Sequence, residues 1–455
     1  MVDLKNIKAV YFIGIGGIGM SALARYFRSQ GKKVRGYDKT ETALTKQLMK
    51  EGIGVEYVDN PDSLPKDVQL VVYTPAIPGD HLGLQYYRDH GYELLKRSDV
   101  LGLVTAGSLN VCVAGTHGKT TISTLIAHIL RDSGFGCNAF LGGISANYDT
   151  NFWSNERNVC VVEADEYDRS FLKLHPDIAV ISSMDADHLD IYGTAAAVEE
   201  AFIDFSRKIK AGGTLISKYG LPIPDPEKSI RQIRYGLNDH NADVYAENIR
   251  IDGGSYVFNM SGKVWSLKGV KLNIGGWHNI ENALAAMVVS KRLGLSDGQI
   301  LRAVDHFRGV KRRFEYHTLG EGTVYIDDYA HHPKELSALI SSAKELFPGR
   351  RCAVIFQPHL FSRTRDFAAA FARSLDMADE VILLPIYPAR ELPIEGISSA
   401  TILDKMTITK KQILDKQQLL DWVKRIRDKE KLLLITAGAG DIDTLVKPLA
   451  DIVKV

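Results

Sequence analysis

The chain has 455 residues, 45% of them hydrophobic and 24% charged, and a formal net charge of +1. That length exceeds one ordinary core and implies about two to four domains of a globular protein. The even charge balance excludes a general nucleic-acid surface, and no apolar run reaches the roughly 18 residues needed to span a bilayer.

In chain order, Ala9–Ile15 is a short apolar run of β-formers, followed by glycines and a helical pattern over Met20–Ser29. Strand patterns follow at Lys33–Tyr37, ending on Asp38, and at Gln69–Tyr73. This alternation predicts a parallel sheet with helices on its faces. Thr105–Asn110 is polar and small, and is expected to be a linker.

A second block opens on the strand Val111–Ala114, a glycine loop and a helix over Thr120–Asp132. Strands at Val159–Glu163 and Ile178–Ser182 follow. Residues 242–274 alternate, with Gly-Gly and Ser-Gly turns, and predict a small antiparallel annex. A helix over Ile280–Leu293 leads to Asp297–Phe307. The third block has strands at Thr323–Ile326, Cys352–Phe356, Glu380–Pro385 and Leu432–Thr436, another doubly wound unit. The expected fold class is α/β: a Rossmann-like domain at 1–107, a P-loop ATPase-like domain with its annex at 108–309, and a second Rossmann-like domain at 310–455.

The cysteines Cys112, Cys137, Cys160 and Cys352 are scattered, without a C-x-x-C pair, and are expected to be free thiols in a reducing compartment. The first residues run straight into a strand pattern without a leader. A cytoplasmic location, with no membrane insertion and no nucleic-acid partner, is therefore expected.

The loop Gly115-Thr116-His117-Gly118-Lys119-Thr120-Thr121 lies between a strand and a helix, the context a phosphate cradle requires. Glycines let backbone N–H groups turn inward, and the helix start adds partial positive charge. Lys119 then reaches the outer phosphates of ATP, and the Thr120 hydroxyl ligates Mg²⁺. Val113 stands where the usual motif has its first glycine, so the loop is a shortened variant, and His117 has no derivable role. Two later strands end in acidic runs, Glu163-Ala-Asp-Glu-Tyr-Asp168 and Asp185-Ala-Asp-His188-Leu-Asp190. Strand ends of a parallel sheet share one edge with the phosphate loop. Glu163 is assigned to one Mg²⁺ and His188 to a second, completing two ions.

Gly14, Gly16, Gly17 and Gly19 follow the first strand and open a helix, with Asp38 ending the next strand. This fits a pyrophosphate on the helix start and a ribose hydroxyl on Asp38. An NAD-dependent oxidoreductase satisfies the same fingerprint, but a dehydrogenase has no use for the second phosphate loop. A uridine diphosphate sugar fits the glycines equally and leaves ATP for residues 115–121.

Taken together, Gly-Thr-His-Gly-Lys-Thr-Thr, Glu-Ala-Asp-Glu, Asp-His-Leu-Asp, His278-Asn-x-x-Asn282-Ala, Arg312-Arg-Phe-Glu315 and Asp327-Asp-Tyr-Ala-His-His-Pro333 resemble, in that order, the Mur ligases. That family builds the peptide of bacterial peptidoglycan, and the resemblance covers essentially the whole chain. It implies a UDP-binding domain, an ATP-binding domain and a mobile C-terminal domain bearing the amino-acid site. It places His278, Asn279 and Asn282 at the nucleotide, and brings Arg313 and Asp328 to the ATP phosphates. It puts Tyr329, His331, His359 and Arg363 around the incoming amino acid.

Residues 14–21 and 357–366 resemble the alanine-adding branch. The activity implied is joining of L-alanine to the lactyl carboxylate of UDP-N-acetylmuramate through an acyl phosphate, with ATP giving ADP and phosphate. A recycling branch, which attaches a preformed tripeptide to the same sugar nucleotide, shares the Glu-Ala-Asp-Glu-Tyr-Asp run and is the alternative. Sibling ligases carry a carbamylated lysine about fifteen residues after Asp-His. Glu200-Ala-Phe-Ile-Asp204 occupies that stretch here, as the alanine-adding branch implies.

Overall fold

The computed structural model describes residues 3–389, 391–427 and 431–454. The chain divides into two compact units. The first comprises residues 1–247, 260–267 and 281–304; the second comprises 248–259, 268–280 and 305–455. Three sheets run through the chain, of five, ten and six strands.

The first sheet contains β1 (Ala9–Ile13), β2 (Lys33–Tyr37), β3 (Gly54–Glu56), β4 (Leu70–Tyr73) and β5 (Leu94–Lys96), in the order β3-β2-β1-β4-β5. All neighbours are parallel. Winding reverses between β1 and β4, and the glycine loop after β1 lies at that carboxyl edge, where open α/β sheets bind ligands.

The second sheet is built from β6 (Leu109–Ala114), β7 (Asn138–Ser145), β8 (Thr150–Trp153), β9 (Val159–Glu163), β10 (Ile178–Ile181), β11 (Thr214–Lys218) and β12 (Arg231–Leu237). Three further strands are β13 (Val244–Asp252), β14 (Ser255–Gly262) and β15 (Leu267–Leu272). The order is β15-β14-β13-β12-β11-β10-β6-β9-β7-β8. β6 is buried except at Leu109, as a central strand covered on both faces must be. The annex is therefore a continuation of the central sheet: β13 pairs with β12 in parallel, through Tyr235↔Val244. β13 and β14 are neighbours joined by two glycines, Gly253 and Gly254, both at positive φ, the geometry of a tight hairpin turn.

The expected linker shrinks to three residues. A helix runs to Thr105 and β6 begins at Leu109. The helical pattern expected from Met20 starts two residues earlier, at Ile18. One hairpin escaped the sequence reading: β7 and β8 pair antiparallel at the sheet edge. It carries an aromatic contact between the first two sheets. Tyr26, on the helix Ile18–Ser29, meets Phe140 at 5.6 Å and Phe152 at 6.2 Å between ring centroids. Asn151 is fully buried, donates to Ile18 O and accepts from Arg25. A single hydrophobic cluster joins Phe12, Leu23 and Phe27 to Phe140, Phe152 and Val162.

The third sheet has β16 (Glu315–Thr318), β17 (Val324–Asp328), β18 (Arg351–Phe356), β19 (Glu380–Leu383), β20 (Lys411–Ile413) and β21 (Leu432–Ala437), in the order β16-β17-β21-β18-β19-β20. Among the described residues, only β16 is antiparallel to its neighbour. The four cysteines are buried free thiols, and burial pushes the Cys137 and Cys352 thiols up to about 12. Among the described residues, no helix is long and apolar enough to cross a membrane.

Candidate active site

β6 delivers the chain into the loop 115–121, and the helix Lys119–Asp132 leaves it. Gly115 has φ +133° and Gly118 φ +84°, conformations that L side chains rarely adopt. Space is equally restrictive, since a Cβ on Gly118 would lie 2.6 Å from Asn282 Oδ1. Asn282 therefore abuts the phosphate loop. No side chain caps the helix at Gly118, which leaves its first N–H groups for an anion.

Beneath the loop, carboxylates and cations interlock. Lys119 Nζ donates to Gly115 O at 2.7 Å and lies 2.8 Å from both oxygens of Glu166, a residue only 2% exposed. Thr120 Oγ1 donates to Glu163 Oε1 at 2.9 Å, and Gly142 N donates to Glu163 Oε2 at 2.9 Å. Gly142 lies on β7, where any Cβ would collide with the Glu163 carboxylate. His188, at φ +51°, brings Nε2 to 3.9 Å from Glu166 Oε1 and sets its ring edge-on to Tyr167.

Lys119, Thr120, Glu163 and His188 thus converge as expected, around a carboxylate that sequence reasoning left unassigned. The missed signal was electrostatic: a lysine held beside a glycine loop needs a counter-charge, and Glu166 closes the same Glu-Ala-Asp-Glu run as Glu163. Around them, Thr116 Oγ1 donates to Asp185 O and His117 N donates to Ser183 Oγ. The His117 ring is largely exposed, 3.7 Å from an Asp185 oxygen. Thr121 is buried in the first helical turn.

At the first sheet, Gly14 N and Ile15 N both donate to Tyr37 O, which folds the glycine loop back onto β2. Gly17 precedes the helix Ile18–Ser29 and Gly19 lies in its first turn. Asp38 Oδ2 accepts from Gly16 N at 2.7 Å, and Oδ1 accepts from Thr40 N at 3.1 Å. The carboxylate expected at a ribose hydroxyl therefore also props the loop.

The second unit carries the other predicted residues. His278 and Asn279 begin the helix Trp277–Arg292, and Asn279 Nδ2 donates to Gly275 O. Arg313 sits in a turn flanked by Arg312 and Phe314, both at positive φ. Asp328 ends β17 and clamps that turn: Oδ2 accepts from Phe314 N and Oδ1 from Ala330 N, each at 2.7 Å. Burial pushes its carboxyl up to about 6 against those bonds. The folded chain thus holds this proton more tightly than the unfolded chain, whose Asp titrates near 3.9. Stability contributed by Asp328 is therefore greatest below about pH 4 and is lost as pH rises through about 6. Thermal unfolding of wild type and Asp328→Asn across pH 4–7 checks this, with a flatter profile expected for the variant. The variant also loses about 1–3 kcal/mol, because an amide cannot accept from both N–H groups.

Tyr329, His331, His359 and Arg363 gather at the carboxyl edge of the third sheet. Ring centroids are 5.3 Å apart for Tyr329–His331 and 6.2 Å for His331–His359, while His359 stacks on Tyr387. Leu360, at φ +69°, turns the chain into the helix Phe361–Leu375 and sets Arg363 on its first turn. Among the described residues, His359 Nδ1 and Arg363 Nη1 are buried without a hydrogen-bond partner. Burial and the neighbouring Arg363 hold the His359 pKa below the usual histidine value. A buried donor left unsatisfied is costly, and a carboxylate ligand would satisfy both.

Comparison with known proteins accords with this geometry. Residues 9–108 match the catalytic domain of the Mur ligase family, 113–290 the Mur ligase middle domain, and 312–440 the Mur ligase glutamate ligase domain. The UDP-N-acetylmuramate–L-alanine ligase of Flavobacterium johnsoniae is 46% identical over 449 residues, 98% of each chain. The enzyme of the same name from Parabacteroides distasonis is 48% identical over 458 residues, covering 99% of this chain and 98% of its own. Among solved structures, UDP-N-acetylmuramate-alanine ligase from Thermotoga maritima superposes with a TM-score of 0.80 at 28% identity, covering 99% of both chains. A murein peptide ligase from Psychrobacter arcticus shares the fold, with a TM-score of 0.66 at 22% identity. Three sheets in this order, a phosphate loop braced by Glu163 and Glu166, and matches along nearly the whole length lead to one assignment: the chain belongs to the Mur ligase family.

Proposed function

We propose that this protein joins L-alanine to the lactyl carboxylate of UDP-N-acetylmuramate at the expense of ATP, in peptidoglycan synthesis. The observation that carries the reading is the convergence of Lys119, Thr120 and Glu163 on an uncapped helix start behind a glycine loop. The alanine assignment draws on the relatives' names and on the two unsatisfied donors of the third sheet. The proposed domains are 1–107, 108–309 and 310–455; the family matches start at 9, 113 and 312, and the middle one ends at 290.

A carboxylate and an amine do not condense at neutral pH, because the carboxylate is a poor electrophile with a poor leaving group. Transfer of the γ-phosphoryl group to the lactyl carboxylate gives an acyl phosphate. The alanine amine attacks its carbonyl carbon, and phosphate leaves. Two anions must first meet, so fixed positive charge dominates catalysis. Lys119 supplies it at the loop; Arg313 is assigned to the phosphates on the resemblance alone. Thr120 Oγ1 and the Glu163 carboxylate are hard oxygen donors 2.9 Å apart, and fit Mg²⁺. His188 is assigned to a second ion. Bound there, Mg²⁺ neutralises phosphate charge.

In the amino-acid pocket, Arg363 pairs with the alanine carboxylate. Such a charge-assisted bond contributes about 1.5–3 kcal/mol, so Arg363→Ala raises KM for L-alanine about 10- to 150-fold. KM for ATP stays unchanged, and steady-state rates with each substrate varied check both statements. The reading as a whole is tested by phosphate release from ATP with UDP-N-acetylmuramate and a panel of amino acids plus the tripeptide. Release requiring UDP-N-acetylmuramate and L-alanine together is expected; release with the tripeptide only identifies the recycling activity instead.

A further inference from the structure

The carboxylate of Glu391 has no part in the proposed chemistry, yet it is bound to the helix that carries Arg363. That helix, Phe361–Leu375, has no side-chain cap from Leu360 and no acidic residue in its first turn. Its first N–H groups need an acceptor from elsewhere, and its partial positive charge favours an anion. Glu391 supplies both from the segment after β19. Its Oε2 accepts from Ser362 N at 2.9 Å, and its Oε1 accepts from the Ser362 hydroxyl. The Ser362 hydroxyl and N–H, with the Phe361 N–H behind them, hold the Glu391 carboxyl below the usual carboxylate range.

The same segment is stitched to the residues just before the helix. Tyr387 N donates to Pro358 O at 2.9 Å and Leu360 N donates to Tyr387 O at 3.0 Å, a parallel bridge between His359 and Tyr387. The two rings stack, 5.8 Å apart at 20°. Tyr387 has little room to move, since a Cβ on Gly440 would lie 2.6 Å from its own. Leu360 and Ala389 both have positive φ, which non-glycine residues keep only where the surroundings over-determine it. Pro358, Leu360 and Ser362 are thus gripped in turn. The residues beside them, His359 and Arg363, are the two whose buried nitrogens lack partners among the described residues of this edge.

We propose that Glu391 is a positioning residue of the amino-acid pocket: it fills the helix start as a resident anion and fixes His359 and Arg363 to receive the amino acid's carboxylate. Because the helix start is already taken, the incoming carboxylate is left to the guanidinium. Glu391 touches no substrate itself. The proposal rests on the reading of these residues as the amino-acid pocket.

Steady-state phosphate release by the full chain tests it, with each substrate varied in turn and thermal unfolding measured beside the rates. Glu391→Ala should raise KM for L-alanine about 10- to 100-fold, the cost of misplacing a binding group by about 1 Å. KM for ATP and for UDP-N-acetylmuramate should hold. Glutamine can accept from Ser362 N and donate to the Ser362 oxygen, so Glu391→Gln should recover most of the loss. Glu391→Asp keeps the charge but falls one methylene short, and should shift the same KM in the same direction by less. That variant carries the test if Glu391→Ala fails to fold. Sodium formate, a small carboxylate, should enter the vacated helix start and lower the KM of Glu391→Ala, and should not lower that of wild type. Wild type whose phosphate release is indifferent to L-alanine sinks the amino-acid reading itself. Saturable L-alanine dependence with the same KM in wild type, Glu391→Ala and Glu391→Asp overturns the Glu391 assignment alone, whatever the melting temperatures. A rise shared by all three substrates, or one that neither glutamine nor formate reverses, marks a general brace of the fold and overturns it too.

Discussion

Lys119→Met is expected to lower kcat by about 10³-fold or more, the cost of removing a fixed charge from phosphoryl transfer. Methionine keeps the length of the side chain but none of its charge. The substitution also strikes the fold, because Glu166 is 2% exposed and loses its ammonium partner. Leaving one half of a buried ion pair unmatched costs about 3–5 kcal/mol. The two effects separate in the double variant Lys119→Met/Glu166→Gln, which should recover most of the thermal stability and none of the activity. A double variant as unstable as the single one would show that the pair is not what the substitution disturbs.

Glu163→Gln should lower kcat/KM about 10³-fold, equivalent to about 4 kcal/mol of transition-state stabilisation. The carboxylate accepts from Thr120 and from Gly142 N. An amide can keep only one of those acceptors and turns its NH₂ group on the other. It also removes the negative charge proposed to hold Mg²⁺, so the half-saturating Mg²⁺ concentration should rise. Steady-state rates across a magnesium titration check both parts. A variant with wild-type magnesium dependence would move the ion elsewhere.

Much of this site was legible in the sequence because it is contiguous there. Residues 115–121 carry glycines, lysine and hydroxyl in the order a phosphate cradle needs. Glu163 ends one strand and His188 lies in the acidic run after another, and the apolar runs of both strands are unmistakable. Glu166 was not assigned, since four carboxylates in six residues are indistinguishable until burial selects one. Gly142 was beyond reach for a different reason. Gly142 is a glycine in a strand, and its role is to let a carboxylate from β9 approach. The β7–β8 hairpin was missed because residues 138–153 mix glycines and polar groups. Their partners, Tyr26 and Arg25, lie on a distant helix, and tertiary packing rather than periodicity defines the element.

That hairpin bears on how such a protein can be taken apart or recombined. Its Phe140 and Phe152 complete the core beneath Tyr26 and Phe27, and its buried Asn151 satisfies Ile18 O. Residues 1–107 cut free would present that aromatic face to water and leave Arg25 with Glu51 but without Asn151. The natural unit of exchange for a chimera is therefore the first sheet together with residues 138–153. A graft at the tidy border near residue 108 would carry the glycine loop at 14–19 without the surface that keeps its helix in place.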